Sequence, residues 1–566
     1  MADREFSAPG KGPWELETTH FSRPVSRFSG PAYVENFPRG FAQGTARFGL
    51  LLDYLQPALA NNFLYMQPVA YLAPKGAMKP PPAPVLWLLT RLHPKMRSRI
   101  ARSAEAFATK QWRQDLDAWE NHDKPAAIEQ HLAIQVVDVA ALADDALVEH
   151  LGRCLEHAGT MVALHHSYTA TSVVVTGDFL AAAFAWTDAT PGQVCGLLKG
   201  SSPISNGFAA DELVKAGGAI AADPRAADLL RAPGPPADRL AALAEHPGVG
   251  PAVRAYVEAV QHRSVGYDVG DPTAGEMPDL LVEALASAAS AASAADGAQH
   301  RDTGDAALDA VRAQVPPEHL AEFDERLAEA RLVNRLRDER GVYSDGWATG
   351  LARRALLEAG RRLHARGLLH DPEHAVDLRL DELGSLLQGH GGPSPDEVAE
   401  HFTWRTTATI ADAPPFLNAM PAPPPPADLL PPAARRAATA IGTAMVQLFD
   451  VADADNGATV VRGLSVNQGT YEGTARLVND PNEFGRIRQG DVLVARNTSP
   501  YFNVVLPLLG AIVTDRGGQL CHAAIVAREY GIPGVVGTRE ATTVIPDGAR
   551  VRVDGSTGEV QVISAP

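Results

Sequence analysis

Cysteine is nearly absent from this 566-residue chain, which contains only Cys154, Cys195 and Cys521. Three thiols exclude a disulfide framework and a zinc site built from four thiolates. No apolar run approaches the roughly 18 residues of a membrane span, and residues 1–15 contain no apolar segment of the kind found in signal peptides. The sequence therefore predicts a cytoplasmic protein without a membrane partner.

Positive charge is also scarce, because the formal net charge is −17. General binding to nucleic acid or to an anionic membrane is not expected, although a local basic patch remains open. Lysine ends at Lys215, and the Gly10-Lys11 pair lacks both the upstream glycine and the following Ser or Thr of a phosphate-binding P-loop. We therefore expect no ATP binding through a P-loop. Aromatic residues make up only 6% of the chain, so the cores must consist mainly of Ala, Leu and Val.

The chain is long enough for three or four domains at roughly 150 residues each. Apolar residues recur mostly at helical spacing over 98–265 and 317–368, and a helix is also predicted near 46–60. The Ala- and Ser-rich stretch 284–298 fits either an exposed helix or a flexible loop, and the loop is favoured. These patterns predict a mostly α-helical domain over 1–440 and leave open a division into two subdomains.

A different pattern begins after a proline-rich stretch. Residues 421–456 are predicted to form a stiff linker and hinge. From 457 to 566, short β-rich runs alternate with Gly, Asp and Pro, and Asp554-Gly555 is a hairpin signal between the last two runs. The fold class is thus multidomain, with a helical amino-terminal domain and a carboxy-terminal α/β domain.

One segment of the α/β domain carries chemistry. Residues 514–537 follow the order strand, glycine turn, helix, glycine and strand, and His522 falls in the first turn of the helix. A helix amino terminus favours phosphate, and a neutral imidazole is a nucleophile near pH 7. His522 is therefore predicted to accept a phosphoryl group, with Arg516 and Arg528 close enough in sequence to help. The alternative is a histidine that caps the helix or fills the core.

This segment resembles the phosphohistidine swivelling domain of the phosphoenolpyruvate-utilising family, which includes pyruvate phosphate dikinase, phosphoenolpyruvate synthase and rifampicin phosphotransferase. The resemblance covers about 460–566 and implies that the chain carries phosphate on His522 within a β/β/α domain. The implied phosphate-stabilising residues are Thr514, Arg516, Gly517, Gly518, Cys521 and Arg528. Cys521 departs from the family, where Ser or Thr is common. A redox or metal role for Cys521 and His522 is a rival, but two adjacent side chains do not make a metal site, and no metal site is predicted.

The rest of the chain resembles the family more loosely. Residues 331–387 and 261–272 are similar to the central, acceptor-binding domain of rifampicin phosphotransferase, which implies that 1–440 binds the acceptor. No segment resembles the ATP-grasp domain or the phosphoenolpyruvate-binding barrel of the family. The resemblance therefore implies an ATP-grasp-type ATP-binding subunit as partner, as in phenylphosphate synthase. Mg²⁺ is expected with ATP on that partner, and no tightly bound cofactor is expected on this chain.

Candidate acceptor-binding residues lie in two places. One of His165 and His166 is a candidate base for an acceptor hydroxyl, and the polar loop that holds Arg263, Tyr267, Asp268 and Glu276 is a candidate ligand contact. The alternatives are core or surface histidines and a loop that serves only structure.

The predicted function is a phosphotransferase component of the dikinase type. It would carry a phosphoryl group on His522 from ATP on the partner to a small hydroxylated organic acceptor. The alternative is a non-catalytic, phosphorylatable regulatory or scaffold protein of the same family. A single-chain phosphoenolpyruvate enzyme is disfavoured because no segment resembles the barrel.

Overall fold

The computed structural model describes residues 4–74, 76–201, 209–294, 304–449, 459–479, 481–498, 502 and 505–566. Its residues group into two compact units, and each unit is assembled from three chain segments. The first comprises Met1–Val175, Gly266–Asp271 and Arg340–Ile441, and the second comprises Thr176–Val265, Pro272–Glu339 and Gly442–Pro566. The predicted boundary near 440 therefore divides the chain differently from the structure, because 176–265 and 272–339 group with the carboxy-terminal domain.

The strands and helices are as follows in chain order. The strands are β1 Trp14–Leu16, β2 Leu52–Ala60, β3 Phe63–Ala70, β4 Phe416–Leu417, β5 Val460–Arg462, β6 Leu464–Asn467, β7 Thr470–Leu477, β8 Asp491–Ala495, β9 Leu509–Thr514, β10 Gly534–Val536, β11 Arg550–Asp554 and β12 Glu559–Ser564. The α-helices are α1 Gly30–Arg47, α2 Ala83–Leu92, α3 Pro94–Ala108, α4 Gln111–Ala118, α5 Lys124–Gln135, α6 Asp144–Ser167, α7 Thr169–Trp186, α8 Pro191–Gly196, α9 Ala210–Ala222, α10 Pro224–Arg231, α11 Pro236–Glu245, α12 Gly250–Val260, α13 Pro278–Ala294, α14 Gly304–Arg312, α15 Leu320–Asn334, α16 Leu336–Tyr343, α17 Asp345–Ala365, α18 Leu380–Leu387, α19 Pro395–Thr407, α20 Pro432–Phe449, α21 His522–Tyr530 and α22 Ala541–Val544.

The first unit combines helices with a small antiparallel sheet of order β2-β3-β1-β4. The helix predicted near 46–60 is wrong, because α1 ends at Arg47 and β2 follows. The chain turns between α1 and β2 at Gly49, which has a φ of +59°. A β-carbon at this position would lie only 2.3 Å from the carbonyl oxygen of Arg99. Asn61 and Asn62, both at positive φ, then turn β2 back onto β3, as expected for asparagines in a tight hairpin.

The helical core of the first unit lies around α6 and α17. Leu147 and Leu151 of α6 are fully buried with Ala355, Leu356 and Ala359 of α17. By length and composition alone, the stretch Asp144–Trp186 could cross a membrane, but 67% of its most apolar window is buried inside the protein. That burial is the pattern of a core helix pair, and it accounts for the apolar composition.

The predicted linker over 421–456 is largely packed structure. A 3₁₀ turn covers Ala427–Leu429 and α20 begins at Pro432. Leu430 is buried in a cluster with Leu86, Met96 and Ile100. Proline is tolerated at the first position of a helix, and the Ala-rich sequence that follows favours one. The prediction of a stiff spacer was wrong for 427–449, and 450–456 lies outside the described residues.

The loop favoured for 284–298 is also wrong over 284–294, which belongs to α13. Leu285 and Ala289 are buried one helical turn apart. A side-chain carbon added to Gly217 of α9 would lie 2.5 Å from the β-carbon of Ala288. The small residues thus permit close packing of two helices, and they do not mark a flexible segment. Residues 295–298 lie outside the described part of the chain.

The second unit is built on an eight-stranded sheet of order β5-β12-β11-β7-β8-β9-β10-β6. The four strands β7 to β10 are parallel neighbours, and the remaining pairs are antiparallel. The predicted hairpin between β11 and β12 is present. One apolar cluster joins Val253 and Leu285 of the helices to Leu493 and Ile512 of the sheet. The predicted fold class, a helical amino-terminal region and a carboxy-terminal α/β domain, is confirmed.

Candidate functional site

His522 is the first residue of α21, directly after the turn that leaves β9. The buried apolar strand Leu509–Thr514 carries the chain into the interior, and Gly517 then adopts a φ of +104°. The helix ends at Gly531, which is left-handed and donates its backbone N–H to the carbonyls of Ala527 and Arg528. The imidazole is therefore fixed at the positive end of a short helix.

The turn before His522 is held against the end of α20. The N–H of Gly518 donates to Leu448 at 3.0 Å, and the N–H of Leu520 donates to Gln447 at 2.7 Å. A side chain at Gly518 would lie 2.5 Å from the carbonyl oxygen of Gln447. Glycine is therefore required at 518 for this close approach.

The His522 ring is 6% exposed, and its Nδ1 lies 3.0 Å from Oγ1 of Thr498. Burial, followed by the positive charge of Arg337, lowers the pKa of His522 to about 3. The imidazole is consequently neutral at physiological pH, and a neutral imidazole is the nucleophilic form.

Two of the predicted phosphate-stabilising side chains instead hold the turn. Thr514, fully buried, donates from Oγ1 to the carbonyl of Arg516 at 2.8 Å. Arg528 is buried and donates to the carbonyl of Gln519 at 2.5 Å and to its side-chain oxygen. Arg516 is exposed. Thr514 and Arg528 thus have hydrogen-bond partners within the turn that precedes His522, and their contact with a phosphate stays a prediction.

Cys521 occupies the position before the helix. Its Sγ accepts a hydrogen bond from the N–H of Ala524 at 3.4 Å, so the sulfur caps α21 in place of a hydroxyl. Burial raises the pKa of the Cys521 thiol despite neighbouring positive charge. The residue is therefore a thiol at neutral pH.

Thr498 and Arg337 were not predicted from the sequence. Thr498 follows β8, the parallel neighbour of β9, and polar residues at the carboxyl ends of adjacent parallel strands meet at one edge. That pattern was available in the sequence. Arg337 lies on α16, donates to the carbonyl of Leu520, and carries no local signal that connects it with His522.

In the first unit, the two adjacent histidines line a cluster of rings and charges. Nδ1 of His165 lies 2.9 Å from Oδ1 of Asp345. The ring of His166 lies 4.0 Å from that of Phe37, and Tyr33 meets His166 edge to face. Carboxylate, imidazole and aromatic surface therefore lie together, as in many small-molecule sites.

The same cluster extends to Tyr267 and to a second histidine–carboxylate pair. Tyr267 meets His20 edge to face at 5.0 Å, and Phe21 contacts both Tyr33 and Tyr267. Nδ1 of His20 lies 3.0 Å from Oε1 of Glu17. The predicted residues His165, His166 and Tyr267 thus belong to one neighbourhood.

The histidines of this cluster differ in the direction in which their pKa values are shifted. Burial lowers the pKa of His165, although Asp345 opposes the shift. The pKa of His166 is lowered well below its usual value, first by burial and then by His165 and Arg340. For His20, the charge and hydrogen bond of Glu17 outweigh burial and raise the pKa. The cluster holds neutral imidazoles beside one that is more easily protonated.

The other loop candidates have structural roles. Asp268 accepts hydrogen bonds from the N–H and hydroxyl of Ser26, both at 2.5 Å. Glu276 accepts from the N–H of Thr273 at 2.8 Å and caps a short turn. Arg263 and Glu276 belong to the second unit. Glu17, His20, Tyr33, Arg340 and Asp345 were not predicted: Glu17 and His20 pair locally, but the contacts of His20 with Tyr267 and of Asp345 with His165 join positions far apart in the sequence.

A metal site was not predicted. Within the described ranges, no group of three or more His, Cys, Asp or Glu side chains is placed to hold a metal ion.

Comparison with known proteins finds a family match in the carboxy-terminal part of the chain. The mobile domain of PEP-utilising enzymes matches residues 487–558, which include His522 and its turn. An uncharacterized phosphotransferase, YvkC of Bacillus subtilis, is 33% identical over 229 residues, which are 40% of this chain and 26% of that protein. A rifampicin phosphotransferase of a Streptomyces species is 30% identical over 323 residues, 55% of this chain and 34% of that protein.

A third relative has a different name. A probable phosphoenolpyruvate synthase of Archaeoglobus fulgidus is 40% identical over 111 residues, 20% of this chain and 15% of that protein. The chain thus spans about a third or less of the length of these three relatives. The predicted resemblance is confirmed for one segment: residues 487–558 match the mobile domain of PEP-utilising enzymes.

Proposed function

We propose that this chain is a cytoplasmic phosphotransferase component in which His522 carries a phosphoryl group between two substrates. The donor is ATP, bound with Mg²⁺ on an ATP-grasp-type partner, and the acceptor is a small hydroxylated organic molecule bound by the first unit. The observation that carries the proposal is the 3.0 Å contact between Nδ1 of His522 and Thr498, on an imidazole that is neutral at physiological pH.

The first half-reaction forms a phosphorus–nitrogen bond. When Nδ1–H donates to the hydroxyl oxygen of Thr498, the lone pair for attack is on Nε2. Nε2 then bonds to phosphorus while the bond from phosphorus to the leaving oxygen of the nucleotide breaks. The N–H groups at the start of α21 and the charge of Arg337 favour the added anion.

The second half-reaction returns His522 to its neutral state. The acceptor oxygen bonds to phosphorus, the phosphorus–nitrogen bond breaks, and the hydroxyl proton must be removed. His165 is the proposed base, because it is paired with Asp345 at 2.9 Å and its pKa is lowered by burial. A neutral imidazole that a carboxylate orients is suited to this task. The aromatic rings of Tyr33 and Tyr267 favour an acceptor with an apolar body.

Chemical loading tests the carrier without a partner. Phosphoramidate transfers its phosphoryl group directly to imidazole, so the full chain should gain one acid-labile phosphoryl group by intact mass. His522→Gln should gain none, and His364→Gln is a matched control on another helix. Equal loading of the His522 variant would contradict the carrier role.

The loaded chain then tests the acceptor site. A panel of hydroxylated compounds that begins with phenol is added, and loss of the phosphoryl group is followed by intact mass. Asp345→Asn should load normally and discharge to the active compound at least tenfold more slowly. Loading without discharge to any compound would favour the regulatory alternative.

A further inference from the structure

Helix α2, Ala83–Leu92, exposes an apolar face to solvent. Val85, Trp87, Leu88 and Leu92 are between 45% and 65% exposed, whereas Leu86 on the opposite side is buried. Val85, Leu88 and Leu92 are spaced by three and four residues and therefore form one stripe. The buried side is anchored in the first unit through Leu86, which packs with Met96 and Leu430. The helix is thus fixed to the protein by one face only.

The sequence around this helix is positively charged, whereas the chain as a whole is negatively charged. Between Leu72 and Arg113 the only carboxylate is Glu105. The basic residues of the same stretch are Lys75, Lys79, Arg91, Lys95, Arg97, Arg99, Arg102, Lys110 and Arg113. Four of the eight lysines of the chain are in this stretch, although the whole chain has a net charge of −17. The positive charge is therefore a local property of this segment.

Several of these basic side chains flank the apolar stripe and face solvent. Lys79 precedes α2, and Lys95 and Arg97 follow it, and all three are exposed. The guanidinium of Arg91 lies 4.7 Å from the centre of the Trp87 ring. Arg91 also donates to the carbonyl of Leu429 at 3.2 Å, which holds the charge beside the indole. Exposed cations thus precede and follow the apolar stripe in the sequence, and Arg91 lies beside Trp87.

We propose that α2 and its flanking bases form a peripheral binding surface for an anionic phospholipid bilayer. Leu88 and Leu92 would enter the boundary of the acyl chains, Trp87 would lie at the interface, and Lys95 and Arg97 would contact lipid phosphates. At 1.5 Å per residue, a ten-residue helix is about 15 Å long and cannot cross a hydrocarbon core of about 30 Å. The helix therefore lies in the interface and does not span it.

A bilayer fits this surface better than an acidic protein. The stripe consists of aliphatic side chains and an indole on a convex helix, and binding to a protein would require a complementary apolar groove and matched carboxylates. A bilayer supplies both chemistries in layers, with phosphates outside and acyl chains inside. The net negative charge predicted no membrane partner, but the local charge of 72–113 points to the opposite conclusion for this surface.

Vesicle sedimentation tests the proposal with the full chain. Sucrose-loaded vesicles of phosphatidylcholine alone are compared with vesicles that contain one part phosphatidylglycerol to three parts phosphatidylcholine. We expect binding to the anionic vesicles at low salt, weaker binding as salt is raised, and little binding to the zwitterionic vesicles. Absence of binding to anionic vesicles at low salt, or equal binding to both compositions, would overturn the proposal.

Two variants separate the charge from the apolar stripe. The triple variant Lys79→Glu, Lys95→Glu, Arg97→Glu should lower partitioning into anionic vesicles by at least about 100-fold. Each lost cation accounts for up to about tenfold of this decrease. Leu88→Ser with Leu92→Ser should lower it by at least about tenfold. Charge reversal at the exposed Arg153, Arg231 and Arg550, and serine at the exposed Val136 and Val214, are the matched controls.

Circular dichroism and phosphoramidate loading of His522 verify that each variant is folded. Anionic binding that is unaffected by both α2 variants would place the lipid contact elsewhere and would refute the role of α2. Capture of an acidic protein by α2, without vesicle binding, would also refute it.

Discussion

Nδ1 of His522 and Oγ1 of Thr498 are 3.0 Å apart, although 24 residues separate them in the chain. The two residues follow β9 and β8, which are parallel neighbours in the sheet. Their contact orients the imidazole ring, and the proposed attack on a phosphoryl donor depends on that orientation.

The first prediction concerns this contact. Thr498→Val keeps the shape of the side chain but removes the hydroxyl, so the ring loses its orientation. We expect phosphoramidate loading of His522 to slow by about fivefold, which corresponds to one hydrogen bond of about 1 kcal/mol. Thr498→Ser restores the hydroxyl and should load at nearly the native rate. Native loading by the valine variant would mean that the hydrogen bond does not govern reactivity.

The second prediction concerns pH. Burial and Arg337 hold the pKa of His522 at about 3, so its ring stays neutral at pH 5. A free histidine with a pKa of about 6.5 loses about 30-fold of its neutral form between pH 7.5 and 5. The loading rate of His522, divided by that of free imidazole in the same buffer, should therefore rise as the pH is lowered from 7.5 to 5. A constant ratio would contradict the lowered pKa.

The same shift affects stability. Because the pKa is depressed in the folded chain, the unfolded chain takes up the proton first as the pH falls through about 6.5. The contribution of His522 to the free energy of unfolding is lost progressively below that pH, down to about 3. Burial lowers the pKa of His157 to about 4, and its effect has the same sign. Urea unfolding at pH 7.5 and 5 should show lower stability at pH 5.

The third prediction concerns the cap of α21. The sulfur of Cys521 accepts from the N–H of Ala524 at 3.4 Å, and a hydroxyl is a stronger partner for a backbone N–H. Cys521→Ser should raise the free energy of unfolding by about 0.5–1 kcal/mol, and Cys521→Ala should lower it by about 1 kcal/mol. Urea denaturation of both variants checks the order Ser, Cys, Ala. A serine variant less stable than the native chain would show that the thiol is preferred for its packing.

The fourth prediction concerns the proline-rich segment. Leu430 is 4% exposed and packs with Leu86, Met96 and Ile100. Leu430→Ala should lower the free energy of unfolding by about 2–4 kcal/mol, whereas Met420→Ala, at a side chain 71% exposed, should have little effect. Deletion of 421–432 should likewise destabilise the first unit. If Leu430→Ala were as stable as the native chain, the interpretation of this segment as a spacer would be restored.

Local signals predicted the backbone around His522 well. The glycine turn, the helix start at His522 and the hairpin after Asp554 each depend on residues within a few positions of one another. Tertiary partners were not predictable in this way, because Arg337 and Asp345 reach their histidines across more than a hundred residues of chain. The helix at 284–294 was missed for another reason: its Ala and Ser residues resemble a disordered stretch until α9 packs against them.

The interleaving of the two units has a consequence for biosynthesis. The ribosome releases 176–265 and 272–339 well before the strands of 459–566, yet these segments share one apolar core. The first unit is likewise incomplete until its last segment, 340–441, has been synthesised. For most of translation, the nascent chain therefore holds helices whose apolar faces have no sheet to cover them. Neither unit can complete its fold from one continuous segment, and the second unit folds fully only after β12 has left the ribosome.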